Sequence, residues 1–224
     1  VYHSKIVASG TTSAAFERGA SPATHGKAAR SRAKRAFDLV LSTMGLIFLI
    51  PLFLTVALAI RLESPGPVFF RQRRGGLGGK PFQIFKFRTM SVLQDADDVQ
   101  HAKRGDSRIT RVGSFLRRSS IDELPQLLNV LRGEMSLVGP RPHALAHDRY
   151  YAERVANYDA RFLVRPGMTG AAQVSGHRGD VADVEAMSAR LAADIAYVET
   201  WSLRLDGNIL ARTVACVLFD DRAV

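Results

Sequence analysis

Residues 39–60 form a run of 22 positions without a single charge, and Pro51 stands thirteenth among them. About 20 apolar residues in a helix match the hydrocarbon thickness of a bilayer. A soluble core helix of that length is rare, so the run is expected to meet lipid. Pro51 lacks a backbone donor and crowds the carbonyl four residues before it, which bends or breaks a helix. A break near the middle lets two half-helices enter and leave on one face of the membrane. A kinked span is the alternative.

The flanks favour re-entry. Residues 27–88 hold 12 basic and 2 acidic side chains, and the rest of the chain carries 19 of each sign. All of the net +10 therefore brackets the apolar run. Basic residues near membrane ends select the cytoplasmic side, and here both ends qualify. So much positive charge calls for an anionic partner. Nucleic acid fits badly: the apolar run has no use there and no basic recognition helix is visible. A module that only captures anionic lipid explains the charge and the anchor. Cys216 is the sole cysteine, which excludes a disulfide framework or a cysteine zinc site within one chain. With 224 residues there is room for one sizeable domain and its appendages. Residues 1–26, rich in Ala, Ser, Thr and Gly, read as a disordered tail without the apolar core of a secretory signal. Residues 27–66 read as the basic interfacial segment with the membrane helix, and 67–224 as the main folded domain.

Beyond the turn Ser64-Pro65-Gly66-Pro67, residues 68–71 and 82–88 have strand composition, and the glycine-rich stretch between them fits a hairpin loop. Alternation puts Lys86 and Arg88 on one strand face, either as a solvated face or as a pair aimed at phosphate. The loop GGLGGKP is no Walker loop, since Pro81 replaces the hydroxyl that would hold magnesium. Residues 91–110, with Asp95, Asp97 and Asp98, read as a solvated loop. The segment LVGPRPH breaks regular structure. Residues 184–201 and 208–219 read as helices.

The most informative stretch is RRSSIDELPQLLNVL. Ser120 with Glu123 matches a capping box, and Pro125 suits a first helical turn. Carboxylates at such a helix start sit in the positive end of the dipole and stay ionised, and the free N–H groups there favour phosphate. An ionised Asp122 can attack phosphorus to give an acyl-phosphate. Glu123, with Asp122 beside it, can hold magnesium against the same phosphates, because such sites need one or two carboxylates plus substrate oxygens. Arg117 and Arg118 can balance the accumulated negative charge. Gln173 can read a base or a sugar hydroxyl, or satisfy loop backbone. His143 and His147, spaced i, i+4, lack an evident third metal ligand.

The ordered set KRAFDLVLS, SPGPVFFRQRR, FKFRTM, SSIDELPQLLNVLRGEMSLVGPRP, VRPGMTGAAQVSG and YVETWSLRLD resembles the bacterial sugar transferases, the monotopic phosphoglycosyl transferases, over about residues 34–215. PRPHALAH with GHRGD looks most like the branch that starts colanic-acid-type exopolysaccharides, in its short form. The resemblance implies a mostly helical α+β enzyme with a small β-hairpin, held by a re-entrant helix on the cytoplasmic face of the bacterial inner membrane. It implies transfer of a hexose 1-phosphate, glucose first and galactose or another hexose as alternatives, from a UDP-sugar to undecaprenyl phosphate with release of UMP. Asp122 would be the covalent nucleophile and Glu123 the ligand of Mg2+. Arg117, Arg141 and Arg165 match the family's phosphate-handling arginines, and Lys86 its basic strand position. The family breaks its membrane helix at Ser-Pro, where this chain has Ile50-Pro51. The sequence fixes no oligomeric state, so a homo-oligomer stays open.

Overall fold

The computed structural model describes residues 26–91, 106–177, 179 and 183–219. The expected tail and the Asp95–Asp98 loop lie outside the described residues, apart from Gly26.

A short helix α1 (Lys27–Arg30) leads into α2 (Arg32–Glu63), which Ser31 starts by accepting the Lys34 N–H at 3.2 Å. At 1.5 Å per residue α2 is about 48 Å long. The expected break at Pro51 is not there, because helical backbone continues unbroken through it. Proline removes one rung of the ladder. The turns on either side keep theirs, and Thr55 Oγ1 donates to the Pro51 carbonyl at 2.9 Å. One face of α2 packs on the domain through Val56 and Ile60, with Gly45 against Leu127. The other leaves Met44, Ile47, Leu54, Leu58 and Leu62 exposed, and Phe48 is 83% exposed. A helix so bare of protein contact is no soluble core helix.

Both ends of α2 are tied to the same body. At the start, buried Lys34 reaches Asp206 Oδ2 at 2.7 Å, and Arg35 donates to the Val130 and Leu131 carbonyls. Asp38 accepts from the Leu137 N–H and Ser136 Oγ, both at 3.1 Å. At the far end buried Arg88 donates to the carbonyls of Ser64 (2.7 Å), Pro65 and Ile60 (3.4 Å), covering acceptors that the helix leaves open. Glu63 accepts the Val112 N–H at 3.1 Å. Several residues of the basic flank therefore hold the fold together rather than facing lipid headgroups.

The hairpin pairs β1 (Phe69–Gly75) with β2 (Pro81–Phe87) in the register Phe69↔Phe87 to Gly75↔Pro81. The first strand runs four residues past the expected 68–71, because a tight turn over Leu77–Gly79 needs only Gly78 and Gly79 at positive φ (65° and 75°) to reverse the chain. The free edge of β2 is closed by Asn129, which accepts from the Phe85 N–H (3.0 Å) and donates to the Gln83 carbonyl (2.7 Å). Asn129 is fully buried on α4 (Leu127–Arg132), which packs against α2 and follows α3 (Arg111–Arg118) in the chain.

Two short strands, β3 (Ser136–Val138) and β4 (Gly167–Thr169), pair in parallel; the stretch VRPGMTGAAQVSG reads as loop and short strand, but nothing in it names the partner. Gly139 and Gly167 approach so closely there that a side chain on either would strike the other's backbone. Around them lie α5 (Leu145–Ala152), α6 (Ala171–Val174), α7 (Val184–Thr200) and α8 (Leu203–Phe219). The core shared by α4, α6, α7 and α8 contains Leu127, Val130, Met135, Val138, Val174, Tyr197 and Ile209, while α5 packs through Tyr151 and Ala152 on a second cluster around Tyr158 and Met187. The described chain is thus mostly helical with a small antiparallel hairpin.

Asp206 is the hub of this packing. It is fully buried, pairs with Lys34, accepts from Trp201 Nε1 at 3.0 Å, and lies 2.8 Å from the Tyr197 hydroxyl. Asp206→Ala leaves the buried Lys34 ammonium with the more distant Asp38 carboxylate at 4.0 Å, and stripping one partner from a buried pair costs about 3–5 kcal/mol. The expected result is a large fall in the denaturant midpoint of the detergent-solubilised protein. An unchanged midpoint would mean that the pair does not hold α2 to the domain.

Candidate active site

The stretch carrying Asp122 and Glu123 does not fold as the capping box predicts. Helix α3 is capped by Thr110, whose Oγ1 accepts the Gly113 N–H at 2.9 Å, and it ends at Arg118. Ser120 then adopts φ 55° and its side chain makes no capping bond. Residues Ile121–Gln126 form a tight 3-10 turn, and α4 begins only at Leu127. The reason lies in Glu123. A capping box needs its carboxylate to fold back on the Ser120 N–H, and here it points the other way.

Glu123 is gripped by two cations. Lys86 Nζ lies 2.8 Å from Oε1, and Arg141 forks both oxygens, Nη2 to Oε1 at 2.6 Å and Nη1 to Oε2 at 3.0 Å. The strand β2 supplies Lys86, and the turn after β3 supplies Arg141. A bidentate fork of this kind fixes geometry as well as charge. Burial opposes ionisation of Glu123, but the Arg141 and Lys86 charges outweigh it and hold its carboxyl well below the usual range.

Its neighbour Asp122 sits in the opposite situation. It is buried, and among the described residues it has no ion pair. Burial pushes its carboxyl up to about 6, with the Glu123 charge adding to the effect and Lys86, Arg117 and Arg141 opposing it. Two adjacent carboxylates with diverging acidities are a recurrent mark of acid–base and nucleophilic sites. Arg117 reaches toward this pair from the end of α3, with Nε donating to Thr89 Oγ1 at 3.0 Å.

Lys86, Arg117, Asp122, Glu123 and Arg141 thus converge. Other candidates do not join them. Arg88 is spent on the end of α2, as described above. Arg165 donates to the carbonyls of Gly133 (2.9 Å) and Ala29 (3.1 Å), which ties the end of α4 to α1. Arg118 is exposed on the last turn of α3. Gln173 lies on α6 with its Oε1 buried and without a partner among the described residues. The arginines in FKFRTM and VRPG look alike in sequence to those at the dyad, but nearby helix ends offer unpaired carbonyls that claim them.

Sequence reasoning missed the cluster behind Arg141. His143, Asp148, Tyr158, Arg161, Arg190 and Asp194 are all buried there. Burial, reinforced by the Arg161 and Arg190 charges, holds the His143 imidazole well below its ordinary value, so it is neutral. The available signal was the density of charged residues in HDRYYAERVANYDARF, which a purely solvated helix does not require.

No group of three or more His, Cys, Asp or Glu side chains suited to a metal occurs among the described residues. The Asp122–Glu123 pair fits Mg2+ only as a shared ion, since one or two carboxylates suffice when substrate phosphates supply further oxygens. Glu123 Oε2 carries one hydrogen bond and retains a lone pair for that purpose.

A profile described as Bacterial sugar transferase matches residues 29–220. The UDP-glucose:undecaprenyl-phosphate glucose-1-phosphate transferase of Caulobacter vibrioides is 60% identical over 190 residues, covering 85% of this chain and 71% of that protein. The protein of the same name from Escherichia coli is 48% identical over 181 residues, covering 81% of this chain but 39% of its own length. A UDP-N-acetylgalactosamine-undecaprenyl-phosphate N-acetylgalactosaminephosphotransferase of Aeromonas hydrophila is 40% identical over 83% of this chain and 43% of its own.

Proposed function

The chain belongs to the bacterial sugar transferase family, and on that premise we propose that it moves glucose 1-phosphate from UDP-glucose to undecaprenyl phosphate, releasing UMP and starting an exopolysaccharide. The observation that carries this reading is a buried Asp122, without an ion pair among the described residues, beside a Glu123 held by Lys86 and Arg141. Glucose is favoured over other hexoses by the names of the relatives at 60% and 48% identity.

The reaction runs in two displacements. An Asp122 oxygen attacks the β-phosphorus of the UDP-sugar; the new P–O bond forms as the bond to the α-phosphate oxygen breaks, and UMP departs with that oxygen. An oxygen of undecaprenyl phosphate then attacks the same phosphorus and frees the Asp122 carboxylate. A covalent intermediate suits substrates from different phases, since the soluble nucleotide can leave before the lipid arrives. Lys86 and Arg141, already oriented by Glu123, and Arg117 beside Asp122 supply preorganised positive charge for the phosphoryl oxygens. Glu123 and Asp122 would hold magnesium, which would supply positive charge to offset that of the substrate phosphates. Arg118 is exposed to meet a lipid or nucleotide phosphate. Arg88 and Arg165 act as scaffold.

The apolar face of α2 is read as lying in one leaflet, with both helix ends on the cytoplasmic face of the inner membrane. In its favour, both ends are bonded to the same domain, and basic residues near each end favour anionic lipid by about 1 kcal/mol apiece.

The test is UMP release from UDP-glucose in detergent with undecaprenyl phosphate and Mg2+. Release is expected, and its rate should fall as the pH drops below about 6, where Asp122 takes up a proton and ceases to be a nucleophile. Release only from UDP-N-acetylgalactosamine or another UDP-hexose would change the sugar. Silence with every UDP-hexose would overturn the transferase reading in favour of a lipid-binding module.

A further inference from the structure

Arg141 reaches Glu123 from a stretch with no regular structure of its own. Residues 140–142 read Pro-Arg-Pro, so two of the three peptide nitrogens carry no hydrogen. The stretch lines a small pocket together with Gly75, Phe162 and Val164. Burial of Pro140 and Pro142 does not by itself set where the carbonyls of the stretch point.

Hydrogen bonds to four successive carbonyls do. The Gly167 N–H donates to Pro140 O at 2.9 Å, Arg161 Nη2 to Arg141 O, Arg74 Nη1 to Pro142 O at 3.2 Å, and the Gly75 N–H to His143 O at 3.4 Å. The bond at Arg141 itself comes from Arg161, a side chain that is 4% exposed and fixed on its other side. Arg161 Nη1 lies 2.7 Å from His143 Nδ1 and 2.6 Å from the Tyr158 hydroxyl. The Tyr158 hydroxyl in turn donates to Asp148 Oδ1 at 2.8 Å. Asp194 lies 3.8 Å from Arg161 Nη2. Arg161 can only donate, so the His143 Nδ1 facing it accepts; the Tyr158 hydroxyl, 2.9 Å from the same nitrogen, gives its one hydrogen to Asp148.

We propose that Arg161 is a positioning residue for the transfer reaction: braced by Tyr158 and His143, it holds the Arg141 carbonyl so that the Arg141 guanidinium stays forked on Glu123. This rests on the reading of Asp122 and Glu123 as the active site. Arg161 touches none of the reacting groups. Its effect passes through the main chain of the turn.

The experiment compares full-length wild type, R161K and R141K in detergent for UMP release and for backbone hydrogen–deuterium exchange. Lysine keeps the charge but has no planar fork, so it cannot bridge the carbonyl and the imidazole together. R161K should slow turnover about 10- to 100-fold, the scale set by small misplacements of catalytic groups. Exchange should rise at Gly75 and Gly167, whose N–H groups bond the turn, and stay unchanged at Phe85 on β2. Wild-type turnover in R161K, slowed turnover without faster exchange at the turn, or faster exchange across the whole domain would each overturn the proposal. Should R161K fail to fold, Y158F, which keeps the ring in the core and removes the brace, is expected to show the same local loosening with a smaller loss of rate. R141K separates the two readings. If R141K retains the wild-type rate, the active-site reading fails. If R141K is slow while R161K is neither slow nor loosened, only the positioning role fails.

Discussion

Asp122→Asn is expected to abolish UMP release, by about 10⁴-fold or more as for other lost nucleophiles, while making the fold more stable at neutral pH. The two effects share one cause. Burial raises the Asp122 carboxyl from 3.8 to about 6, and the cations around it only partly offset this. The folded state therefore binds the proton more tightly than the unfolded state does. Its contribution to stability is complete below pH 3.8 and is lost as the pH rises through 6. At pH 7.5 the ionised carboxylate weighs against folding, and asparagine imitates the neutral form. Thermal melting should show Asp122→Asn above wild type at pH 7.5, by roughly 2–4 °C per kcal/mol relieved, with the gap closing toward pH 4. Turnover equal to wild type would sink the nucleophile. A lower melting point would mean that the carboxylate is held by partners outside the described contacts.

Glu123→Gln should move stability the other way. Its acidity is strengthened by Arg141 and Lys86 in spite of burial, so the group contributes stability above about pH 4.5 that is lost as the pH falls through its lower folded value. Glutamine leaves Lys86 and Arg141 facing a neutral amide. With the Glu123 side chain 21% exposed, water takes up part of the loss, and about 1–3 kcal/mol is expected. Turnover should fall about 10²–10³-fold, because the two cations lose the anchor that preorganises them for phosphate. Adjacent carboxylates whose neutralisation shifts melting in opposite directions would be a signature of this site. Equal shifts of the same sign would show that the two do not occupy different electrostatic environments.

The adjacency of the two carboxylates was legible because it is local. Two neighbouring carboxylates between Arg117 and Arg118 on one side and an apolar helix on the other can be recognised from the order of residues alone. The roles of the arginines were less legible. Arg88, Arg141 and Arg165 each sit in a short Pro-, Gly- or Phe-rich motif. Only the fold decides that Arg141 meets a carboxylate, while Arg88 and Arg165 meet the unpaired carbonyls that end α2 and α4. Ser120 and Glu123 satisfied a capping rule at the right spacing, and a stronger pull from Lys86 and Arg141, 37 and 18 residues away, overrode it.

By itself the sequence determined the apolar length of α2, the concentration of positive charge around it, the hairpin and the identity of the two carboxylates. All of these depend on composition or on neighbours a few residues apart. Tertiary structure alone decided that α2 runs unbroken through Pro51 and has both ends bonded to one domain, and that Lys34 is buried against Asp206, 172 residues later. It also decided that the acidities of Asp122 and Glu123 diverge. Desolvation and charge pairing depend on distance in space, and no periodicity along the chain records them.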